Sequence, residues 1–142
     1  MKLILTTPER ELINETDVVK VNIPTAGGEI TILPSHIPLI SSVGRGGMTV
    51  SIKNKEDEEY FVSGGVLQVF DDNINILANL AEKAQEIDEA EIEESIRRAR
   101  VSAEESVTSV GLAEIQAKLA NDLARLKLAS KYKSRRRTGI KS

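Results

Sequence analysis

The segment YFVSGGVLQVFDDNINILAN, residues 60–79, indicates the fold class of this chain because its apolar and polar side chains alternate. Three alternating runs are separated by Gly64-Gly65 and by Asp71-Asp72-Asn73, which are residues typical of turns. A period of two is that of a β-strand, whereas a helix shows a period of 3.6. The segment therefore predicts three consecutive strands joined by tight turns.

The residues before this segment continue the same pattern. VVKVNI (18–23) and MTVSIK (48–53) also alternate, and Pro24 with Gly27-Gly28, the GRGG run (44–47) and the charged stretch NKEDEE (54–59) provide turn signals. Many short strands at close spacing favour an all-β sandwich or barrel over a parallel α/β sheet. We expect the GRGG run to form a tight turn between strands.

The pattern changes to helical spacing after Asn79, with two apolar stripes that predict two helices separated by Gly111. The stripes consist of Ile92, Ile96, Ala99, Ala103 and Val110, followed by Leu112, Ile115, Leu119, Leu123 and Leu126. Both are narrow and rich in alanine. They predict an antiparallel helical hairpin with little apolar surface to hold it in one place.

Composition excludes several classes of site. The 142 residues include no cysteine and one histidine, which removes thiolate metal sites, cysteine nucleophiles and most histidine-based metal sites. Near the N-terminus only Leu3–Leu5 form an apolar run, so neither a secretory signal nor membrane insertion is expected. Residues 111–142 hold 9 Lys/Arg against 2 Asp/Glu, although the whole chain carries −3. This basic end predicts an acidic partner.

The single histidine, His36, lies between Pro34 and Pro38 and raises the question of catalysis. No serine, aspartate or second base stands in a pattern that would complete a catalytic triad, so a small hydrolase lacks its nucleophile and base. A nucleic-acid-binding barrel with a basic tail is the other alternative, but Tyr60, Phe61 and Phe70 are the only aromatic residues among the strands. The two prolines instead favour a rigid contact loop, and we expect no catalytic residue, metal or cofactor.

Two motifs resemble one known family. GGEITILPSHIPLISSVG (27–44), followed by FVSGGVLQVFDDNINILAN (61–79), is similar to the epsilon subunits of bacterial and chloroplast F-type ATP synthases, although Thr31 stands where that family usually has glycine. The resemblance implies a β-sandwich of about ten strands over residues 1–84 and a helix-turn-helix domain with a basic tail over 85–142. It also implies a non-catalytic subunit of the rotating central stalk.

The resemblance further implies partners for the sandwich. Glu29 would face the polar loops of the c subunits in the membrane rotor ring, and the loop with Pro34, His36 and Pro38 would face the gamma subunit. The expected location is peripheral, on the cytoplasmic face of the bacterial inner membrane or the stromal face of the thylakoid. No nucleic-acid partner is implied.

In that family the helical hairpin can extend into the catalytic head and block ATP hydrolysis. The resemblance therefore implies transient contact of the basic tail with acidic loops of the alpha and beta subunits. The tail candidates are Arg125, Lys131, Lys133, Arg135, Arg136 and Arg137. Some members also bind ATP through an Ile/Leu-Asp-x-x-Arg-Ala motif. Here Asp88 is present, but Glu91 and Ile92 replace the arginine and alanine, so we expect ATP sensing to be weak or lost.

Overall fold

The computed structural model describes residues 1–105 and 109–138, with the side chains of 109–110 and 135–138 left out. The chain divides into two compact units, the first comprising Met1–Lys83 and the second beginning at Ala84. The first unit contains eight strands. They are β1 (Lys2–Thr6), β2 (Glu11–Glu15), β3 (Val18–Thr25), β4 (Gly28–Ile32), β5 (Leu39–Ser42), β6 (Arg45–Ile52), β7 (Glu58–Phe70) and β8 (Asn73–Lys83).

The eight strands form one continuous hydrogen-bonded sheet in the order β2-β1-β8-β7-β6-β3-β4, with β5 paired to β7. All pairings are antiparallel except that of β1 with β8. Strand β7 pairs with β6 through its first half and with β5 through its second half, while β8 follows it along both. The β7–β8 pair therefore belongs to both layers of the sandwich. The predicted fold class, a β-sandwich followed by a helical hairpin, is confirmed.

The glycine pairs do not form the tight turns that the sequence predicts. Gly64-Gly65 lies inside β7, and Gly46-Gly47 lies inside β6. Gly64 and Gly65 have φ angles of 74° and 121°, so they bend the strand without ending its pairing with β8. Two predicted strands thus merge into β7, and the described sandwich has eight strands where the resemblance implies about ten.

The core of the sandwich consists of inward-facing side chains from both layers. Fully buried members include Leu3 and Leu5 of β1, Val21 and Ile23 of β3, and Leu67 of β7. Their spacing of two in each strand reproduces the alternation in the sequence. Thr31, the departure from the family pattern, fits β4 because its hydroxyl lies 2.6 Å from Oδ1 of Asn22, its cross-strand neighbour.

The second unit contains a short 3-10 helix followed by α1 (Glu89–Glu105) and α2 (Ser109–Thr138). Gly111 was predicted to separate the helices, but it lies in the first turn of α2. The helices are antiparallel, since Ser95 of α1 bonds Asp122 of α2 while the earlier Glu89 bonds the later Ser130. At 1.5 Å per residue, the 30 residues of α2 span about 45 Å.

The inward face of α2 differs from the predicted leucine stripe. Leu123 is 44% exposed, whereas Asp122 and Ala129 are buried. The positions 115, 119, 122, 126 and 129 follow each other at helical spacings of three and four, so this stripe passes through Asp122. The sequence-based assignment chose Leu123 because it is apolar, although it lies one residue off the stripe.

Candidate functional site

The loop between β4 and β5 is held by hydrogen bonds at its centre. The amide of Ser35 donates to Oδ1 of Asp72 (3.0 Å), and the amide of His36 donates to the carbonyl oxygen of Leu33 (3.2 Å). Asp72 belongs to the turn between β7 and β8, so the loop is attached to that hairpin. Since a carbonyl oxygen only accepts, Nδ1 of His36 donates to Ile37 O at 2.7 Å. His36 therefore contributes to the conformation of the loop through both its main chain and its side chain.

Next to this loop lies an exposed apolar surface, here called the apolar face, made by Ile40, Val66, Phe70 and Leu77. Their exposed fractions are 74%, 48%, 62% and 62%. The strand register places all four on one side of the sheet. Val66 and Phe70 lie on the same side of β7 as Gln68, because alternate residues of a strand share a side. Ile40 of β5 is opposite Gln68, and Leu77 of β8 is opposite Val66. Contiguous exposed apolar side chains of this kind make the apolar face a candidate binding surface.

The loop extends the apolar face. Leu33 and Ile37 are 52% and 76% exposed, and Ile37 is followed within three residues by Ile40. Pro34 and Pro38 are exposed and restrict the backbone on both sides of His36, which is half-buried. The sequence predicts the loop but not the apolar face, because the exposure of side chains on β5, β7 and β8 depends on what covers the sheet.

Glu29 lies elsewhere on the sandwich, in the hairpin of β3 and β4. It is exposed and sits opposite Pro24. The Gly44 amide donates to the Pro24 carbonyl oxygen at 2.9 Å, and the Gly64 amide donates to the Gly44 carbonyl oxygen at 3.2 Å. These main-chain bonds connect the turn end of the Glu29 hairpin to the centre of β7.

In the second unit, Asp88 caps the N-terminus of α1. Its Oδ1 accepts hydrogen bonds from the amides of Ala90 (3.0 Å) and Glu91 (3.4 Å). An aspartate before a helix satisfies amides that have no partner within the helix, and Glu91 stands at the position of a capping box. The aspartate of the incomplete nucleotide motif thus has a structural role in this chain.

Replacing Asp88 with alanine is expected to destabilise the helical unit by about 1 kcal/mol, because α1 loses its cap. The measurement is the urea midpoint of the helical signal in circular dichroism. Glu86→Ala is the matched control, since Glu86 is an exposed carboxylate two residues earlier. Equal midpoints for the two variants would contradict the capping role.

The basic residues of α2 divide into two groups. Arg125 donates from Nη1 to Oδ1 of Asp122 at 3.0 Å, and Nζ of Lys133 lies 3.4 Å from Oε1 of Glu89, so both are engaged within the hairpin. Lys131 is exposed. The backbone of residues 135–137 continues α2, while the side chains of these three arginines lie outside the described part of the structure.

Residues 1–105 and 109–138 can be described by their acidic clusters, their helix hydropathy and the exposure of the aromatic residues in the strands. Within these residues no group of three or more acidic or histidine side chains is placed to hold a metal ion, and neither helix is both long and apolar enough to cross a membrane. Of the three aromatic residues in the strands, Tyr60 and Phe61 are buried and only Phe70 is exposed. A stacking platform for nucleic-acid bases needs more exposed rings than this.

Comparison with known proteins agrees with the architecture. The family described as ATP synthase, Delta/Epsilon chain, beta-sandwich domain matches residues 1–84. A chain of the Euglena gracilis mitochondrial ATP synthase, solved as OSCP/F1/c-ring in rotational state 1, has a similar fold, with a TM-score of 0.74 and 22% sequence identity. That similarity covers 86% of this chain and 76% of the other.

Two curated relatives extend the similarity over both units. The ATP synthase epsilon chain of Chloroflexus aggregans is 36% identical over 135 residues, covering 95% of this chain and 96% of the relative. The epsilon chain of Solibacter usitatus is 35% identical over 131 residues, covering 92% and 96%. The chain therefore belongs to the family of ATP synthase epsilon chains, non-catalytic subunits of that complex.

Proposed function

We propose that this chain joins the gamma subunit to the c subunits of the membrane rotor ring in an F-type ATP synthase, and that its helical hairpin restrains ATP hydrolysis. The observation that carries the proposal is the family relationship over nearly the whole chain. Its place would be peripheral, on the cytoplasmic face of a bacterial inner membrane or the stromal face of a thylakoid.

The apolar face and its neighbouring loop are the proposed contact with gamma. Exposed apolar side chains gain free energy when a partner covers them, and a loop already held by Asp72 loses little conformational entropy on binding. The polar residue Gln68 lies among the apolar ones and provides hydrogen-bonding groups at the same surface. A rotor contact of this kind combines affinity with a fixed orientation.

The hairpin that carries Glu29 is the proposed contact with the ring. Its exposed carboxylate suits polar loops, and the backbone bonds through Gly44 connect it to β7. Torque passes between ring and stalk only through parts that do not deform under load. The main-chain connection from Pro24 to Gly64 meets this requirement better than a flexible loop would.

The second unit supplies the proposed regulation. Its last two turns carry the cluster KYKSRRR (131–137), which would meet acidic loops of the catalytic subunits when the hairpin extends. The buried contact between the helices is small, since Ile92, Ile96, Ala99 and Ala129 are its buried apolar side chains among the described residues. An element held by so little apolar area can detach at low free-energy cost.

Removing residues 85–142 from the assembled synthase is expected to raise ATP hydrolysis about fivefold while leaving proton-driven synthesis near normal. The reason is that a brake made of exposed ion pairs contributes roughly 1 kcal/mol to the barrier. The measurement is steady-state ATP hydrolysis of the purified complex with either form of the subunit. The control is an equal amount of bound subunit in both preparations.

A matched set of charge variants tests the origin of the brake. Changing Arg135, Arg136 and Arg137 together to alanine should give part of the rise, and added salt should weaken the effect of the intact tail. Arg97, Arg98 and Arg100 changed together to alanine remove the same charge from α1 and should have a smaller effect. A truncated complex that hydrolyses ATP no faster than the full-length one would show that the hairpin is not inhibitory here.

A further inference from the structure

A buried carboxylate lies in the contact between the two helices of the second unit. Asp122 is 3% exposed and shares the inward stripe of α2 with Ala129, which is 0% exposed. Carboxylates are almost never buried in this way unless hydrogen bonds or charges compensate for their lost hydration. Because the contact is small and rich in alanine, the environment of Asp122 accounts for a large part of the change in the contact when the hairpin opens.

Both oxygens of this carboxylate have partners. The hydroxyl of Ser95 on α1 donates to Oδ2 at 2.8 Å, and Nη1 of Arg125 donates to Oδ1 at 3.0 Å. The first bond crosses from one helix to the other. The second remains within α2, since Arg125 follows Asp122 by three residues and lies one turn away. The Arg125 side chain is 21% exposed and so keeps contact with water.

These two bonds behave differently when the helices separate. The Ser95 bond breaks, whereas the bond to Arg125 persists because it belongs to one helix. At the same time the carboxylate regains its hydration, and this gain offsets part of the free energy lost with the crossing bond. An apolar pair of similar size would gain nothing from water on opening and would hold the helices together more firmly.

We propose that Ser95, Asp122 and Arg125 form a polar clasp that closes the hairpin in one register and keeps it easy to open. The role of the clasp in the synthase rests on the proposed regulatory function of the hairpin. Its effect on opening is a property of the isolated chain and is tested there.

The first experiment removes the crossing bond with Ser95→Ala in the full-length chain. Amide hydrogen exchange along α2 is expected to become about tenfold faster, because the buried carboxylate loses a hydrogen bond while its desolvation remains. Ser102→Ala is the matched control, since Ser102 is an exposed serine on the same helix. Exchange in β7 of the sandwich should stay unchanged in both variants.

The second experiment adds Asp122→Leu to Ser95→Ala, so that an apolar pair replaces the clasp. Exchange along α2 is then expected to be about tenfold slower than in the unaltered chain, which is the opposite direction from the single variant. Circular dichroism verifies that the helical content is retained. If the double variant does not fold, the comparison of exchange rates in the Ser95→Ala and Ser102→Ala chains is sufficient to test the clasp.

Equal exchange rates in the Ser95→Ala and Ser102→Ala chains would overturn the clasp, and so would faster exchange in a folded double variant. ATP hydrolysis by the assembled complex separates this proposal from the regulatory one. If exchange responds as expected but hydrolysis is the same with both variants, the clasp stands and the inhibitory role of the hairpin fails. If hydrolysis also responds, with stronger restraint for Ser95→Ala, both proposals are supported.

Discussion

Introducing carboxylates on the apolar face, by Ile40→Glu together with Phe70→Glu, is expected to weaken binding of the gamma subunit at least about 100-fold. Each of these exposed side chains would otherwise bury apolar surface worth roughly 1.5–3 kcal/mol. A buried carboxylate without a partner adds a further cost. Isothermal titration calorimetry of the full-length chain with gamma measures the loss.

Val19→Glu provides the control for this experiment. Val19 is another exposed apolar residue of the sandwich, 43% exposed, but it lies at the irregular start of β3, outside the apolar face. Its substitution should leave gamma binding within about threefold of the unaltered chain. All three sites are exposed, so thermal unfolding should change little. Unaltered affinity in the Ile40/Phe70 variant would show that gamma binds another surface.

Replacing Gly65 with alanine is expected to destabilise the sandwich by roughly 3 kcal/mol or more, a large fraction of the stability of a small domain. A Cβ at this position would overlap the carbonyl oxygen of Leu77 and lie 2.8 Å from the Cα of Ala78. Both obstacles are backbone atoms of β8, so no side-chain rotation relieves them. In addition, Gly65 has φ +121°, a value that alanine rarely adopts.

Substitutions at two other glycines distinguish the cost of steric overlap with β8 from the cost of the backbone angle. A Cβ on Gly27 would meet nothing closer than Thr25 Oγ1 at 3.9 Å, so Gly27→Ala should change stability by less than about 0.5 kcal/mol. Gly28 has φ +116° but open space around it, so Gly28→Ala measures the cost of the backbone angle alone. Urea unfolding of the full-length variants provides the three values. A Gly65→Ala chain as stable as Gly27→Ala would contradict the close packing of β7 on β8.

The candidate sites were only partly predictable from the sequence. The loop around His36 was recognisable because two prolines within five residues restrict the backbone wherever the loop lies. Its attachment to Asp72 was not recognisable, because that contact joins residues 37 positions apart. The capping role of Asp88 was recognisable, because an aspartate three residues before Glu91 at the start of a helical pattern is typical of a helix N-terminus.

The structural class of each unit follows from the sequence alone. Alternation with a period of two specified strands between residues 18 and 79, and spacings of three and four specified two helices after them, because these periods follow from local backbone geometry. How the strands pair and where they end depends on contacts between residues that are distant in sequence. Gly64-Gly65 became a bend inside β7 rather than a turn because β8 pairs with both of its halves.

The same distinction explains the second unit. The sequence showed an amphipathic α2, yet it could not show that Asp122 rather than Leu123 lies on the inward face, since an isolated helix pattern ranks positions by polarity alone. Arg125 on the same helix pairs with one carboxylate oxygen of Asp122, but the other oxygen gains its partner only when folding brings Ser95 of the other helix within 2.8 Å. Burial of a polar group depends on its partners, and partners distant in sequence are supplied by the tertiary fold.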